Sequence, residues 1–176
     1  DVGAAWLMTS LAPSPLMVSM VQASTSLPLF VLALPAGAFA DVFDRRRLLL
    51  LTQGWMLVAA AGLAMLTAAG ITGPLLLLGF TFAIGIGTAF NAPAWQAIVP
   101  EIVSREQMPS AVALNSAGIN LARAVGPALG GLIVAKLGPQ AAFGLNALSF
   151  IGVIFVLYRW RREKPISSLP PEHLFS

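Results

Sequence analysis

Gly37-Ala38-Phe39-Ala40-Asp41-Val42-Phe43-Asp44-Arg45-Arg46-Arg47 places two acids and three arginines in its last seven residues. Long apolar runs flank it on both sides, and charge is scarce elsewhere: 10% of the 176 residues are charged and 57% are hydrophobic. A soluble domain carries about 25% charged residues. With a mean hydropathy of +0.84, a fold in water would expose too much apolar surface. The stretch therefore reads as a short polar turn between two helices that cross a lipid bilayer.

On either side of that turn, 16–40 and 48–69 are long enough to span, since about 20 residues cover the hydrocarbon core. Upstream, 2–11 is apolar but too short, and the chain opens on Asp1 rather than Met. We expect 2–11 to be the end of a truncated first helix, stopped by Pro13 and Pro15. Downstream, Gly70-Ile71-Thr72-Gly73-Pro74 leads into a span over 75–91. Its small residues Gly79, Ala83, Gly85, Gly87 and Ala89 let helix backbones approach in lipid. Residues 91–109 hold Pro93, Trp95, Gln96, Pro100, Glu101, Arg105 and Pro109. They read as an interfacial connection with Trp95 at headgroup depth, and Ser104 and Gln107 have capping-box spacing. Spans over 110–135 and 141–158 follow, and 159–176 reads as a linker. The expected fold is an all-α integral membrane bundle over 1–158, with six helices of which the first is truncated.

Arg45, Arg46 and Arg47, then Arg105, then Arg159, Arg161, Arg162 and Lys164 all fall in alternate connections, whereas Lys136 stands alone on the other side. The positive-inside rule places the first set, and the C-terminal tail, in the cytoplasm. The net charge of +3 and pI near 10.2 come from these helix ends, so the lipid bilayer is an expected partner and nucleic acid is not. The chain has no cysteine and a single histidine, His173, which leaves no disulfide and no Cys- or His-rich metal site to expect. No nucleophile-elbow, metalloprotease or phosphate-loop motif occurs. Asp41 and Asp44, beside three arginines, read as capping and ion-pairing residues rather than an acid–base pair. An enzyme is not expected, nor a metal or cofactor.

Arg123 lies near the middle of the 110–135 span, where a cation costs about 2.5–3.5 kcal/mol on insertion scales. Ser116 and Asn120 share its helical stripe. Two readings stand: a substrate or proton pathway, or a cation bonded only to neighbouring helices. On helix two, Ser19, Gln22 and Ser26 share a face that should point to protein or water. A second stripe on the fifth span, Gly118, Ala122, Gly126 and Gly130, forms a groove for a close helix, and Pro127 frees the carbonyl of Arg123.

Six spans, the charged turn after the second, and Gly126-Pro127-Ala128-Leu129-Gly130-Gly131 on the fifth together resemble the N-terminal half of a major facilitator superfamily transporter. The wording of 34–47, Pro93 to Glu101 and 115–131 is most similar to the branch of siderophore exporters and macrolide or multidrug efflux proteins. The resemblance implies inverted three-helix repeats and a gating signature at Gly37, Asp41, Arg45, Arg46 and Arg47. It also implies an antiporter-like signature at Gly126, Pro127, Gly130 and Gly131. Gly37 and Asp41 would meet a helix of a C-terminal half of the same polypeptide. The implied activity is proton-driven efflux of an amphipathic small molecule across a bacterial inner membrane, with the proton gradient as energy source. The path would be lined by Gln22, Ser26, Ser116, Asn120 and Arg123. Val42 and Asp44 depart from the signature, where a basic residue and glycine are usual, and Asp44 is suited to cap helix three. No arginine lies in 75–91, where many drug–proton antiporters carry one, and Arg123 is expected to substitute. An importer of the same fold and a non-transporting membrane scaffold or sensor are the rival readings.

Overall fold

The computed structural model describes residues 2–160, the side chain of Glu101 excepted. Arg161, Arg162, Lys164, His173 and the linker assigned to them lie outside the described residues. The described residues form six α-helices: α1 (Val2–Leu11), α2 (Pro15–Val42), α3 (Arg45–Ala68), α4 (Pro74–Ile102), α5 (Met108–Leu137) and α6 (Pro139–Arg159). Prolines open four of them: Pro15, Pro74 and Pro139 are the first residues of α2, α4 and α6, and Pro109 lies in the first turn of α5. The donor that proline lacks would be unpaired there anyway, and its fixed φ suits the first turn. Gly138 joins α5 to α6 alone, at φ 82°, a conformation that strains any residue with a Cβ. Among the described residues, five helices are long and apolar enough to cross a membrane. At ten residues α1 is about 15 Å long.

The structure corrects the connection expected over 91–109. Helix α4 continues through Pro93 and Pro100 to Ile102, leaving 103–107 as the connection. Each proline removes one helical bond, but membrane helices tolerate that, and packing outweighs it: Ala94 and Ile98 are among the most deeply buried residues. Trp95 accordingly sits inside α4, seven residues or about 10 Å from its end, not in an interfacial loop. The capping box expected at Ser104 and Gln107 is also absent. Gln107 makes no side-chain cap bond; its backbone N–H donates to the Ser104 carbonyl at 3.1 Å, closing a turn.

Helix α4 packs on α2 and α3, and α3 also packs on α6; α5 packs mainly on α6 and α1. Exchanging α1 with α4, α2 with α5 and α3 with α6 carries α2–α4 onto α1–α5 and α3–α4 onto α1–α6 and returns α3–α6 to itself, as inverted repeats would, while α1–α2 has no α4–α5 counterpart of like extent. The α2–α4 crossing is made possible by Gly85, where a Cβ would stand 3.0 Å from the Thr25 carbonyl oxygen and 3.1 Å from that of Ser24.

Two apolar clusters close the bundle. One, at the basic end, joins Ala40, Leu49, Ala94, Ile98 and Leu157. The other, at the opposite end, gathers Met8, Val21, Leu63, Leu77 and Phe143 among others. Large apolar side chains such as Phe30 and Leu34 on α2 and Val58 on α3 point outward, the pattern of a surface that meets lipid or other helices rather than water.

Candidate functional site

The basic end is built by the charged turn. The Asp44 carboxylate caps α3 by accepting from the Arg47 backbone N–H at 2.9 Å. That frees the arginine side chains to reach other helices. Arg45 Nη1 donates to the Ala97 carbonyl of α4 at 3.1 Å. Arg46 donates from Nε to the Leu157 carbonyl at 2.9 Å and from Nη2 to the Tyr158 carbonyl at 2.7 Å. These last-turn carbonyls of α6 have no helical donors of their own, and a cation there opposes the helix dipole. The turn thus ties α3, α4 and α6 together at one end. Asp41 is exposed and meets no partner among the described residues, and a Cβ added to Gly37 would meet nothing within 4 Å.

Between the two apolar clusters lies a cavity of about 820 Å³, bounded by α1, α3, α4, α5 and α6. Its polar wall consists of Gln53, Thr88, Asn91, Arg123 and Asn146. Gln53 and Asn91 sit about one helical turn inward of Leu49 and Ala94, so the basic-end cluster separates them from the surface. Gln53 Nε2 donates to Asn91 Oδ1 at 3.1 Å, and Thr52 Oγ1 lies 3.3 Å from the same oxygen. Gln53 is buried, and its Oε1 has no partner. Arg123 is exposed towards this space, with no partner among the described residues. The cavity is therefore an open, largely apolar chamber with one polar wall, which carries one cation and several neutral amides among the described residues.

The structure separates the five residues expected to line one path. Arg123 lines the chamber, together with Gly126, Pro127 and Gly130 of the helix-five signature. Ser116 and Asn120 are exposed on α5 outside that wall. Gln22 lies in another groove, between α1 and α2, and its Nε2 donates to Ser26 Oγ at 3.2 Å. The shared face of Gln22 and Ser26 thus exists, bonded to itself, and Gln22 lines a groove other than the one that Arg123 lines. Added Cβ atoms at Gly118, Gly126 and Gly131 would meet nothing within 4 Å, and at Gly130 only Val2, so the small-residue groove of α5 is open among the described residues.

Sequence reasoning missed Gln53, Thr88, Asn91 and Asn146. The available signal was an uncharged amide inside an apolar span. Asn91 was obscured because Pro93 reads as a helix stop.

The sequence pattern of the family described as transmembrane secretion effectors matches residues 1–176. Among curated proteins, the chain is 29% identical over 159 residues to the staphyloferrin A transporter of Staphylococcus aureus, covering 89% of this chain and 40% of that protein. It is 30% identical over 180 residues to the multidrug efflux pump Tap of Mycobacterium tuberculosis, covering 97% and 43%. It is 28% identical over 146 residues to the enterobactin exporter EntS of Shigella boydii, covering 81% and 33%. The chain thus spans less than half the length of these relatives. No solved structure matches it.

Proposed function

Since the chain belongs to the transmembrane secretion effector family of the major facilitator superfamily, we propose that it is one half of a proton-coupled exporter of an amphipathic small molecule. It would work by alternating access in a bacterial inner membrane, with its basic end cytoplasmic. The carrying observation is the chamber of about 820 Å³ with Arg123 in its wall, set between two apolar clusters. A polar chamber at mid-depth is where such transporters hold substrate. The names of relatives, an efflux pump and a siderophore exporter, support export of small molecules.

The bundle also leaves room for a second half. Only 11% of the most apolar window of α2 and 6% of that of α5 is buried, and Gly37 and Asp41 lie open on α2. A second bundle seated there would complete the gate, with Asp41 facing a helix N-terminus. The part of Arg123 in coupling would be that of a fan of hydrogen-bond donors for an anion. It would hold a carboxylate, of substrate or of the second half, until an incoming proton neutralises that carboxylate and releases it.

The test is flux in proteoliposomes holding the full-length transporter under an imposed pH gradient. Outward transport should follow the gradient, and Arg123→Ala should abolish it. Gradient-independent flux, or unchanged transport in Arg123→Ala, would sink the proposal. Gradient-driven inward flux would make the protein an importer.

A further inference from the structure

We propose that the chamber selects amphipathic anions. The Arg123 guanidinium would hold the substrate's carboxylate, and the Gln53 amide a hydrogen-bonding group beside it. This rests on reading the chamber as the substrate site and names the substrate class that the site takes.

Charge comes first. Arg123 is the sole charged side chain among the described residues of the wall. A cation between apolar helices is unfavourable unless an anion joins it. An organic cation entering the same space would be repelled by Arg123, at short range and in poor screening. A carboxylate would instead meet a planar fork of donors, which suits two parallel hydrogen bonds.

Gln53 is the second, independent observation. It is 5% exposed, lines the chamber and has an unpartnered Oε1. The partners of this amide restrict its role. Thr52 Oγ1 has one hydrogen and two acceptors in reach, the Leu49 carbonyl at 3.1 Å and Asn91 Oδ1 at 3.3 Å. When Thr52 donates to Leu49, the Asn91 and Gln53 amides can both turn over and keep their bonds with roles reversed. Gln53 then presents NH₂ in place of Oε1 at the same position. The Gln53 amide in the chamber wall is therefore left with either an acceptor or a donor unmatched, and such a buried group is costly. A ligand with a second polar group besides its carboxylate can meet both. Met56, Ile84, Phe143 and Phe150 supply the apolar remainder of the wall, so the body of the ligand is apolar. The volume is that of a site for a drug-sized molecule.

Three probes with one fluorophore and different charge test the selectivity on the purified full-length protein: dansylglycine (an anion), dansylglycinamide (neutral) and dansylcadaverine (a cation). Binding is read from dansyl fluorescence in detergent, and efflux from proteoliposomes. Dansylglycine should bind at least about tenfold more tightly than its amide, as one charge-assisted pair implies, and dansylcadaverine most weakly. Arg123→Gln should remove the preference and Arg123→Lys keep part of it. Gln53→Leu should weaken dansylglycine by about fivefold. Equal binding of dansylglycine and its amide by the wild-type protein would overturn the proposal, and that comparison decides even if Arg123→Gln fails to fold. Anion-selective binding without efflux would defeat the export reading and leave the anion site standing. Gradient-driven efflux of all three probes at equal rates, lost in Arg123→Gln, would do the reverse.

Discussion

Replacing Arg46 with alanine should loosen the basic end of the bundle, whereas the same change at Arg47 should not. Arg46 makes two charge-assisted hydrogen bonds, at 2.9 and 2.7 Å, to carbonyls in the last turn of α6. Each such bond contributes about 1.5–3 kcal/mol. Arg46 is half-buried and the end of α6 lies near the membrane surface, where water can reoccupy part of what the side chain leaves. The sum is therefore reduced, and we expect a loss of about 2 kcal/mol. Arg47 differs in its geometry: its backbone N–H is held by Asp44, but its exposed guanidinium meets no partner among the described residues. Arg46→Lys should fall between, because an ammonium keeps the charge near the α6 terminus but cannot reproduce the guanidinium fork. Thermal unfolding of the detergent-solubilised full-length protein, read by tryptophan fluorescence, compares the three variants with wild type. Equal midpoints for Arg46→Ala and Arg47→Ala would show that the arginine run acts only as a topological charge and that the clasp on α6 carries no stability.

Two further contrasts separate structural from gating roles. Asp44→Ala should cost about 1 kcal/mol of stability through loss of the α3 cap; Asp41→Asn should leave unfolding unchanged yet impair transport more than Asp44→Asn, and a reversed order of transport rates would put the gate on the other carboxylate. Gly85→Ala should destabilise by about 1–3 kcal/mol, because its Cβ would press on the α2 backbone. Gly79→Ala should be neutral, since its Cβ would meet nothing within 4 Å; equal effects in a thermal scan would contradict the α2–α4 crossing.

Features set by neighbours along the chain were readable in advance. The capping role of Asp44 follows from its place before a helix, and the structure forms that bond three residues away. The helical spans follow from apolar length. Contacts between distant residues were not readable. Arg45 and Arg46 announce a membrane face by charge alone, but their carbonyl partners lie 52, 111 and 112 residues on. Gln53 and Asn91 form the chamber's amide pair across 38 residues, and neither is conspicuous in its own span. The stripe of Gln22 and Ser26 was correctly placed on one face, but which way a face points depends on the packing of other helices. The extent of α4 was misread because Pro93 and Pro100 are helix breakers in water, and the burial of Ala94 and Ile98 outweighs them here.

The chamber as a substrate path can be tested by cysteine accessibility, since this chain has no cysteine of its own. Gly126→Cys would place a thiol in the chamber wall, where a Cβ has free space, and Val58→Cys would place one on the outward apolar face of α3. A charged, water-soluble thiol reagent applied to the full-length transporter should modify Gly126→Cys and spare Val58→Cys, because only the thiolate in water reacts. Bound dansylglycine should slow the reaction at Gly126→Cys. If Gly126→Cys is as unreactive as Val58→Cys from both sides of the membrane, the chamber is closed to water and is no transport path.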